Sequence, residues 1–516
     1  MEAYYEDDAV QLYLGDSLDV LPTLADASID AVVCDPPYEL GFMGKAWDAS
    51  GIAYNVDLWR ECWRVLKPGG HLLAFGGTRT YHRMTVAIED AGFEIRDSLH
   101  WIYGSGFPKG QDIAKSIDRR RDDRERVLQV TAWLAGAVAS AGWNSRRLND
   151  LFGFDSMAGH WLTQGKAATI PTPDQWQRLR EAVGFDDAEI LPLVEELHGR
   201  KGQLGEAWSQ REVVGTKNAG LHQGTGESVM LSGMASPAVG RTIPVTAPAA
   251  DAARQWQGWN TSLKPAHEPI VLARKSTGFN TTVANVLEHG TGALNIDGCR
   301  TAAGQDYRDK CASVVGLDSN RNGDAYGEWT GAREDSAHSA GRWPTNILLG
   351  HGPDCIDGGA CQPGCPVAEM DQQSGVTRSS GGSGVLSGRP GGNVYGTYGQ
   401  RQGTNAGGLG DTGGASRFFP VFRYEAKAPA SERPRLADGT AHTTVKPLAL
   451  MRWLVRLVTP PGGTVLDPFA GSGATLEACR LESFQSVGIE KEPAHTELCR
   501  IRLNKPYMTD LFGGAA

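Results

Sequence analysis

The stretch Ile29-Asp30-Ala31-Val32-Val33-Cys34 is apolar at nearly every position and rich in β-branched side chains. A run with no alternation must be covered on both faces. That makes it a strand of a parallel sheet with helices above and below, and it places the chain in the α/β class. The run ends in Asp35-Pro36-Pro37-Tyr38. Ligands of open α/β sheets sit beyond the carboxyl ends of the strands. Two prolines remove N–H donors and stiffen the turn, which leaves the Pro36 carbonyl free to accept. Asp35 is a second acceptor, and Tyr38 offers a flat apolar face with a polar tip. Two acceptors beside a ring suit a planar group that carries an NH2.

A second strand, turn and helix reads from Thr464-Val465-Leu466-Asp467-Pro468-Phe469-Ala470-Gly471-Ser472-Gly473 into a helix at 474–481. Glycines there let backbone approach a ligand closely. A dinucleotide fingerprint needs Gly or Ala at 476, where this chain has Leu476, so a nicotinamide cofactor is disfavoured. The next strand ends in Glu490, about 20 residues past the glycine turn, a spacing that suits hydrogen bonds to ribose hydroxyls. The 26 residues after Glu490 hold one helix. The sheet is therefore expected to close with N-terminal strands, one at 10–14 leading to Asp16 and one leading to Asp35, giving a permuted order.

Asp35-Pro36-Pro37-Tyr38 resembles the catalytic motif of the DNA amino-methyltransferases, which methylate adenine N6 or cytosine N4. Asp467-Pro468-Phe469-Ala470-Gly471-Ser472-Gly473 resembles their S-adenosylmethionine loop. With the catalytic motif first and the cofactor motif last, the chain is similar to the beta-type members, and the resemblance covers about residues 5–115 and 417–505. It implies a Rossmann-like methyltransferase sheet with S-adenosylmethionine as cofactor. It also implies that Asp467, Phe469, Gly471, Gly473 and Glu490 hold that cofactor, that Asp16 contacts its adenine, and that Lys446 and Pro447 line its methionine end. Asp35, Pro36, Pro37 and Tyr38 become the catalytic residues. Asp at 35 favours adenine N6, since the cytosine enzymes more often carry Ser. An RNA or protein-glutamine methyltransferase, or a non-catalytic DNA-binding protein with a relic site, are the rival readings.

Between the two halves the chain changes character. Residues 1–115 and 417–516 read as the catalytic and cofactor halves. Residues 116–205 read as a helical insert, in which helices at 146–152 and 156–162, split by Gly153, resemble a helix-turn-helix with the second in the recognition position. Arg146, Arg147, His160 and Lys166 give it donors for double-stranded DNA. Residues 206–416, rich in Gly, Ser, Asn and Thr, read as a target recognition region. Within it, His351, Cys355, Cys361 and Cys365 are four ligand-type side chains that could hold zinc.

Other readings come from composition and spacing. Residues 56–66 and 81–91 have helical spacing, 71–75 and 94–103 strand character. Lys67-Pro68-Gly69-Gly70 reads as a breaker, 104–115 as a mobile basic loop, and Ser17 as the cap of a helix at 18–24. An odd count of nine scattered cysteines does not fit a secreted disulfide framework. No signal peptide and no long uncharged apolar run is visible, so the expectation is a cytoplasmic protein without membrane contact. The net charge of −10 argues mildly against DNA, yet a local basic groove can sit on an acidic protein. A homodimer and a companion restriction nuclease are further expected partners.

Overall fold

The computed structural model describes residues 2–40, 50–104, 110–120, 123–199, 204–218, 242–301, 340–352, 355, 361, 364–378, 392–393, 396–397, 411–422, 433–442 and 444–505 of the 516-residue chain. The chain divides into two compact units, one of Met1–Gly106 with Pro265–Ala516 and one of Phe107–Lys264.

The first unit is built on a ten-stranded sheet. In chain order its early strands are β1 (Tyr5–Glu6), β2 (Val10–Leu14), β3 (Ile29–Cys34), β4 (Leu66–Phe75) and β5 (Phe93–Ile102). The second unit contributes the separate pair β6 (Val213–Asn218) and β7 (Thr242–Thr246). The first unit resumes with β8 (His267–Lys275) and β9 (Ile347–Gly350). Two small pairs follow, β10 (Thr377–Arg378) with β13 (Thr412–Gly413), and β11 (Gly392–Asn393) with β12 (Gly396–Thr397). The last strands are β14 (Val421–Phe422), β15 (Thr464–Asp467) and β16 (Gln485–Glu490). Their order across the sheet is β1-β2-β16-β15-β3-β4-β8-β5-β9-β14. All run the same way except β1 and β8. The N-terminal strands do complete the sheet: β2 pairs with β16 and β3 with β15, both in parallel.

The apolar run of β3 is covered on both faces, as its lack of alternation requires. Ala31 and Val33 pack with Leu73, Phe75 and the helix Leu448–Val458. Val32 and Cys34 pack on the other face with Leu58, Trp59 and Ile88 of the helices Val56–Val65 and Tyr81–Asp90. Cys34 thus points into the core, away from the strand end. Asp30, at the start of β3, accepts from Lys67 Nζ at 2.6 Å and from the Thr464 amide at 2.8 Å. It ties β15 and β4 to the strand between them.

Several local expectations are corrected. Asp16, not Ser17, caps the first helix: its side chain accepts from the Leu18 amide at 3.0 Å, while Ser17 Oγ donates to the Pro468 carbonyl at 2.6 Å. That helix ends at Val20, because Pro22 starts a separate 3-10 turn, Leu21–Thr23. Lys67-Pro68-Gly69-Gly70 does not break the chain but lies inside β4. Gly69 takes φ +79°, and a Cβ on Gly70 would lie 2.9 Å from the Asp30 carbonyl, so glycine is what lets this strand hug β3. Residues 280–299 form a helix, Thr282–His289, capped by Thr281, and then a 3-10 turn, Asp297–Cys299. Of the expected loop at 104–115, residues 105–109 lie outside the described residues, and its end is the start of a helix, Ile113–Arg119.

The expected boundary at 205/206 also moves. Residues 206–264 belong with the helical insert, and β8 and β9, placed in a separate target region, are strands of the main sheet. In the second unit, Asp118 is fully buried and pairs with Arg211, while accepting from the amides of Ala249 and Ala250, each at 3.1 Å. Val130, Leu134, Leu148, Trp161, Trp176 and Val194 form its apolar centre. The expected recognition helix at 156–162 is a single turn, Ala158–Trp161, with Ala158 and Trp161 buried in that centre. It is too short, and faces inward too much, to lie along a groove as the helix-turn-helix reading requires. Breaking a buried ion pair leaves an uncompensated charge. Asp118→Ala is therefore expected to destabilise this unit by about 3–5 kcal/mol. Hydrogen exchange should show amide protection lost around both Arg211 and Ala249, and unchanged protection there would refute the coupling.

Candidate active site

The parallel strands aim their carboxyl ends at one edge of the sheet, and Asp35 leaves β3 there. Beside it lies Lys446, directly before the helix Leu448–Val458 that packs on the same face of the sheet as Ala31 and Val33. The Lys446 ammonium donates to Asp35 Oδ2 at 2.7 Å and to the Tyr38 hydroxyl at 3.0 Å. It lies 3.2 Å from Glu268 Oε2. The Tyr38 hydroxyl donates to Glu268 Oε2 at 2.8 Å, and Tyr103 donates to Glu268 Oε1 at 3.5 Å. Thr80 Oγ1 holds the Tyr38 carbonyl at 2.7 Å. A Cβ on Gly77 would lie 3.3 Å from the Tyr38 ring, so the turn after β4 must be bare to seat the ring. Pro37, Tyr38, Tyr54, Gly76, Gly77 and Thr80 line a small cleft.

Glu268 is the residue sequence reasoning missed. It sits at the start of β8, and β8 runs antiparallel to its neighbours. Its amino end therefore meets the same edge as their carboxyl ends. The available signal was a carboxylate at the head of an otherwise apolar strand. The direction of that strand is not written in the sequence.

Two carboxylates surround one ammonium. Burial pushes the Asp35 carboxyl up; the Lys446 charge opposes this and the Glu268 charge adds to it. Burial also pushes Tyr38 well above the usual phenol range, with both carboxylates adding to the shift. Burial works against the Lys446 charge, yet Asp35 and Glu268 outweigh it and hold the lysine above its usual value. Asp35 Oδ1 is buried, and among the described residues no group hydrogen-bonds it. A buried carboxylate oxygen without a partner is costly, so this atom is placed to receive a donor from outside.

The residues of the glycine turn gather next to this edge. Asp467, at the end of β15, is 2% exposed and accepts from the Phe469 amide at 3.0 Å. Burial raises it to about 7. Gly471 takes φ +54° and donates its amide to Glu490 Oε2 at 2.7 Å. Glu490 Oε1 accepts from the Glu492 amide at 2.8 Å. Phe469 lies against Trp59, with ring centroids 6.4 Å apart. Gly473, at φ +79°, is packed so closely on Cys499 that a Cβ would lie 2.5 Å from its sulfur. Leu14 pairs with Glu490 across β2 and β16, and just beyond it Asp16 Oδ2 accepts from Lys491 at 2.8 Å. Pro447 is buried as the cap of its helix.

The other expected residues lie elsewhere. Arg146, Arg147 and Lys166 are exposed on the second unit, with the Arg147 guanidinium 3.9 Å over the Trp143 ring. His160 is half-buried in the one-turn helix. His351, Cys355, Cys361 and Cys365 do converge, their ligand atoms all within 4.8 Å of one another.

A mostly parallel sheet with this strand order, an acid–proline–proline–tyrosine strand exit and a neighbouring glycine turn defines a Rossmann-like fold of the methyltransferase type. The chain belongs to the DNA methylase family of N6/N4 methyltransferases, whose sequence model matches residues 29–126 and 246–500, more than half of its length. It is 32% identical over 98 residues to the type II methyltransferase M.HindIII of Haemophilus influenzae, a match covering 19% of this chain and 28% of that one. It is 38% identical over 76 residues to the type II methyltransferase M.BglI of Bacillus subtilis, covering 15% and 22%. The chain thus spans less than a third of the length of these two relatives. Among solved structures, the cytosine-N4-specific PvuII DNA methyltransferase aligns over 98% of this chain and 91% of its own, at 11% identity and a TM-score of 0.37. No helix among the described residues is long and apolar enough to cross a membrane.

The raised value of Asp467 has a consequence for stability. The folded state binds its proton more tightly than the unfolded chain does, so the stabilisation from the neutral form is complete below about pH 4 and is lost as pH rises through about 7. Asp467→Asn keeps a carbonyl oxygen for the Phe469 amide and cannot ionise. Its melting temperature should exceed the parent's at pH 8 and converge with it toward acid pH. A difference independent of pH would show that Asp467 is not held neutral.

Proposed function

We propose that the protein is an S-adenosylmethionine-dependent DNA methyltransferase acting on an exocyclic amino group, with adenine N6 as the target and cytosine N4 as the alternative. The observation that carries this is the unpartnered, buried Asp35 Oδ1 at the end of β3, next to the Pro36 carbonyl and the Tyr38 ring. An amino nitrogen conjugated to a base is a poor nucleophile. Two acceptors for its two hydrogens localise its lone pair, while the ring stacks on a base turned out of the duplex.

The glycine turn fits the cofactor. Gly471 leaves its backbone bare beside the His442 ring, where a Cβ would lie 3.4 Å from Nε2. Glu490 offers a carboxylate at the adjacent strand end for ribose hydroxyls, and Asp16 and Phe469 lie alongside. S-adenosylmethionine, when bound, supplies a methyl group on a sulfonium sulfur. Asp35 would orient the amino group toward that methyl and would accept the proton the nitrogen sheds on transfer. Its raised proton affinity favours this role. Lys446 and Glu268 set that affinity from opposite sides and fix the Tyr38 hydroxyl. Lys446 therefore serves the acceptor end of the site, rather than only the methionine end of the cofactor. On the second unit, Arg146, Arg147 and Lys166 grip DNA phosphates, with base reading left to other residues. A cytoplasmic setting, a homodimer and a companion nuclease accord with this reading.

Labelled cofactor with duplex DNA, and separately with RNA or protein, tests the substrate class, and nucleoside analysis of the product separates N6-methyladenine from N4-methylcytosine. Asp35→Ala should bind cofactor as the parent does and transfer nothing measurable; a residual rate with collapsed cofactor affinity would reverse the assignment. The pH profile is more searching. Lys446→Met should move the acid limb of the rate to higher pH, and Glu268→Gln should move it to lower pH. Limbs that stay in place would remove both residues from the control of Asp35. For the DNA contacts, Arg146→Gln with Arg147→Gln should lower the salt slope of DNA binding by about 2, and an unaltered slope would make the insert structural.

A further inference from the structure

Methyl transfer as proposed leaves one cluster of reactive side chains unused. His351 directly follows β9, the strand between β5 and β14. Cys365 caps the helix Pro366–Ser374. Cys355 and Cys361 come from the chain between. His351 Nδ1 lies 3.4 Å from Cys361 Sγ and 3.6 Å from Cys365 Sγ. A zinc tetrahedron with ordinary Zn–S and Zn–N bonds has nitrogen–sulfur edges of about 3.5 Å. The four ligand atoms, Cys355 Sγ included, fall within 4.8 Å of one another, and the sulfur–sulfur edge of such a tetrahedron is about 3.8 Å, so closing on an ion takes a shift of about 1 Å. Cys355 and Cys365 are buried, and they pack with Leu349 and Val367 in a small apolar cluster. The Gly352 amide donates to Cys365 Sγ at 3.4 Å, the kind of backbone contact that supports a thiolate ligand. Three sulfurs gathered on one imidazole nitrogen are more than apolar packing asks for.

We propose that His351, Cys355, Cys361 and Cys365 bind one structural zinc ion. The set of four is closed, with no position left for substrate, as structural rather than catalytic zinc requires. Its place shows what the ion holds. His351 donates its amide to the Phe422 carbonyl of β14 at 2.8 Å. The helix begun by Cys365 carries Asp371, which accepts from the Ser416 amide at 2.8 Å and from Ser416 Oγ at 2.7 Å. Past that helix, β10 pairs with β13, so Arg378 lies opposite Thr412. One ion therefore fastens the outer strands of the sheet to the helix Pro366–Ser374 and, past it, to the pair β10 and β13.

The test uses the full-length protein, purified without chelator from cells supplied with zinc. Elemental analysis should find about one zinc per chain. Cobalt exchanged into the site should give tetrahedral ligand-field bands with thiolate charge transfer. Cys361→Ser with Cys365→Ser should reduce the metal to less than about a tenth of that. Since this variant could lose its fold, His351→Cys is the companion: it should keep the metal and shift the cobalt bands toward a four-sulfur site. Metal-free parent protein whose three thiols react freely would overturn the proposal. So would a disulfide among them, found by mass spectrometry of the native protein, or a cobalt spectrum without thiolate bands.

Discussion

The site depends on an ammonium buried between two carboxylates. Lys446, Asp35 and Glu268 lie 2.7 to 3.2 Å apart across the lysine, and each comes from a different part of the chain. Removing such charges from water is expensive, and the cost is recovered only where geometry is tight and the remaining donors and acceptors are met. Tyr38 and Tyr103 meet most of them. One carboxylate oxygen is left over, on Asp35. The surplus of negative charge and the open acceptor thus arise together from one arrangement, and both point at the space a target amine would fill.

That arrangement needs the sheet to be built as it is. A helix packed over β3 delivers Lys446 from above, because Leu450, Leu454 and Leu457 bury against the face that Ala31 and Val33 present. A reversed strand, β8, delivers Glu268 from the side. Asp30 fixes β3 against β15 and β4 at the far end, so that the strand carrying Asp35 cannot slide against the one carrying Asp467. Such fixing matters where a misplacement of about 1 Å costs heavily in rate.

Much of this was legible in the residues. The unbroken apolar run of β3, the proline exit, the glycine turn before Ala474 and the acid ending β16 each follow from local chemistry, and the permuted order follows from where they fall along the chain. The misreadings have a common origin. Lys67-Pro68-Gly69-Gly70 reads as a breaker because local rules favour a turn, whereas pairing with β3 rewards glycine where backbones crowd. The helix at 156–162 shrank to one turn because Ala158 and Trp161 serve a core that sequence spacing alone does not reveal. The middle of the chain was read as one loop-rich region because a strand as short as β9 carries no periodicity of its own.

The sequence by itself determined the sheet class, the strand ends bearing Asp35, Asp467 and Glu490, the glycine turn and the family to which the chain belongs. These are set by side-chain pattern and backbone freedom over a few adjacent residues. Only the tertiary structure decided that Glu268 joins Asp35, that Lys446 sits between them, and that His351 meets Cys355, Cys361 and Cys365 in one cluster. Such meetings depend on the direction of β8, on which face a helix covers and on how β9 is wedged between β5 and β14. Those are outcomes of long-range burial, in which residues as many as 411 positions apart are brought within a hydrogen bond.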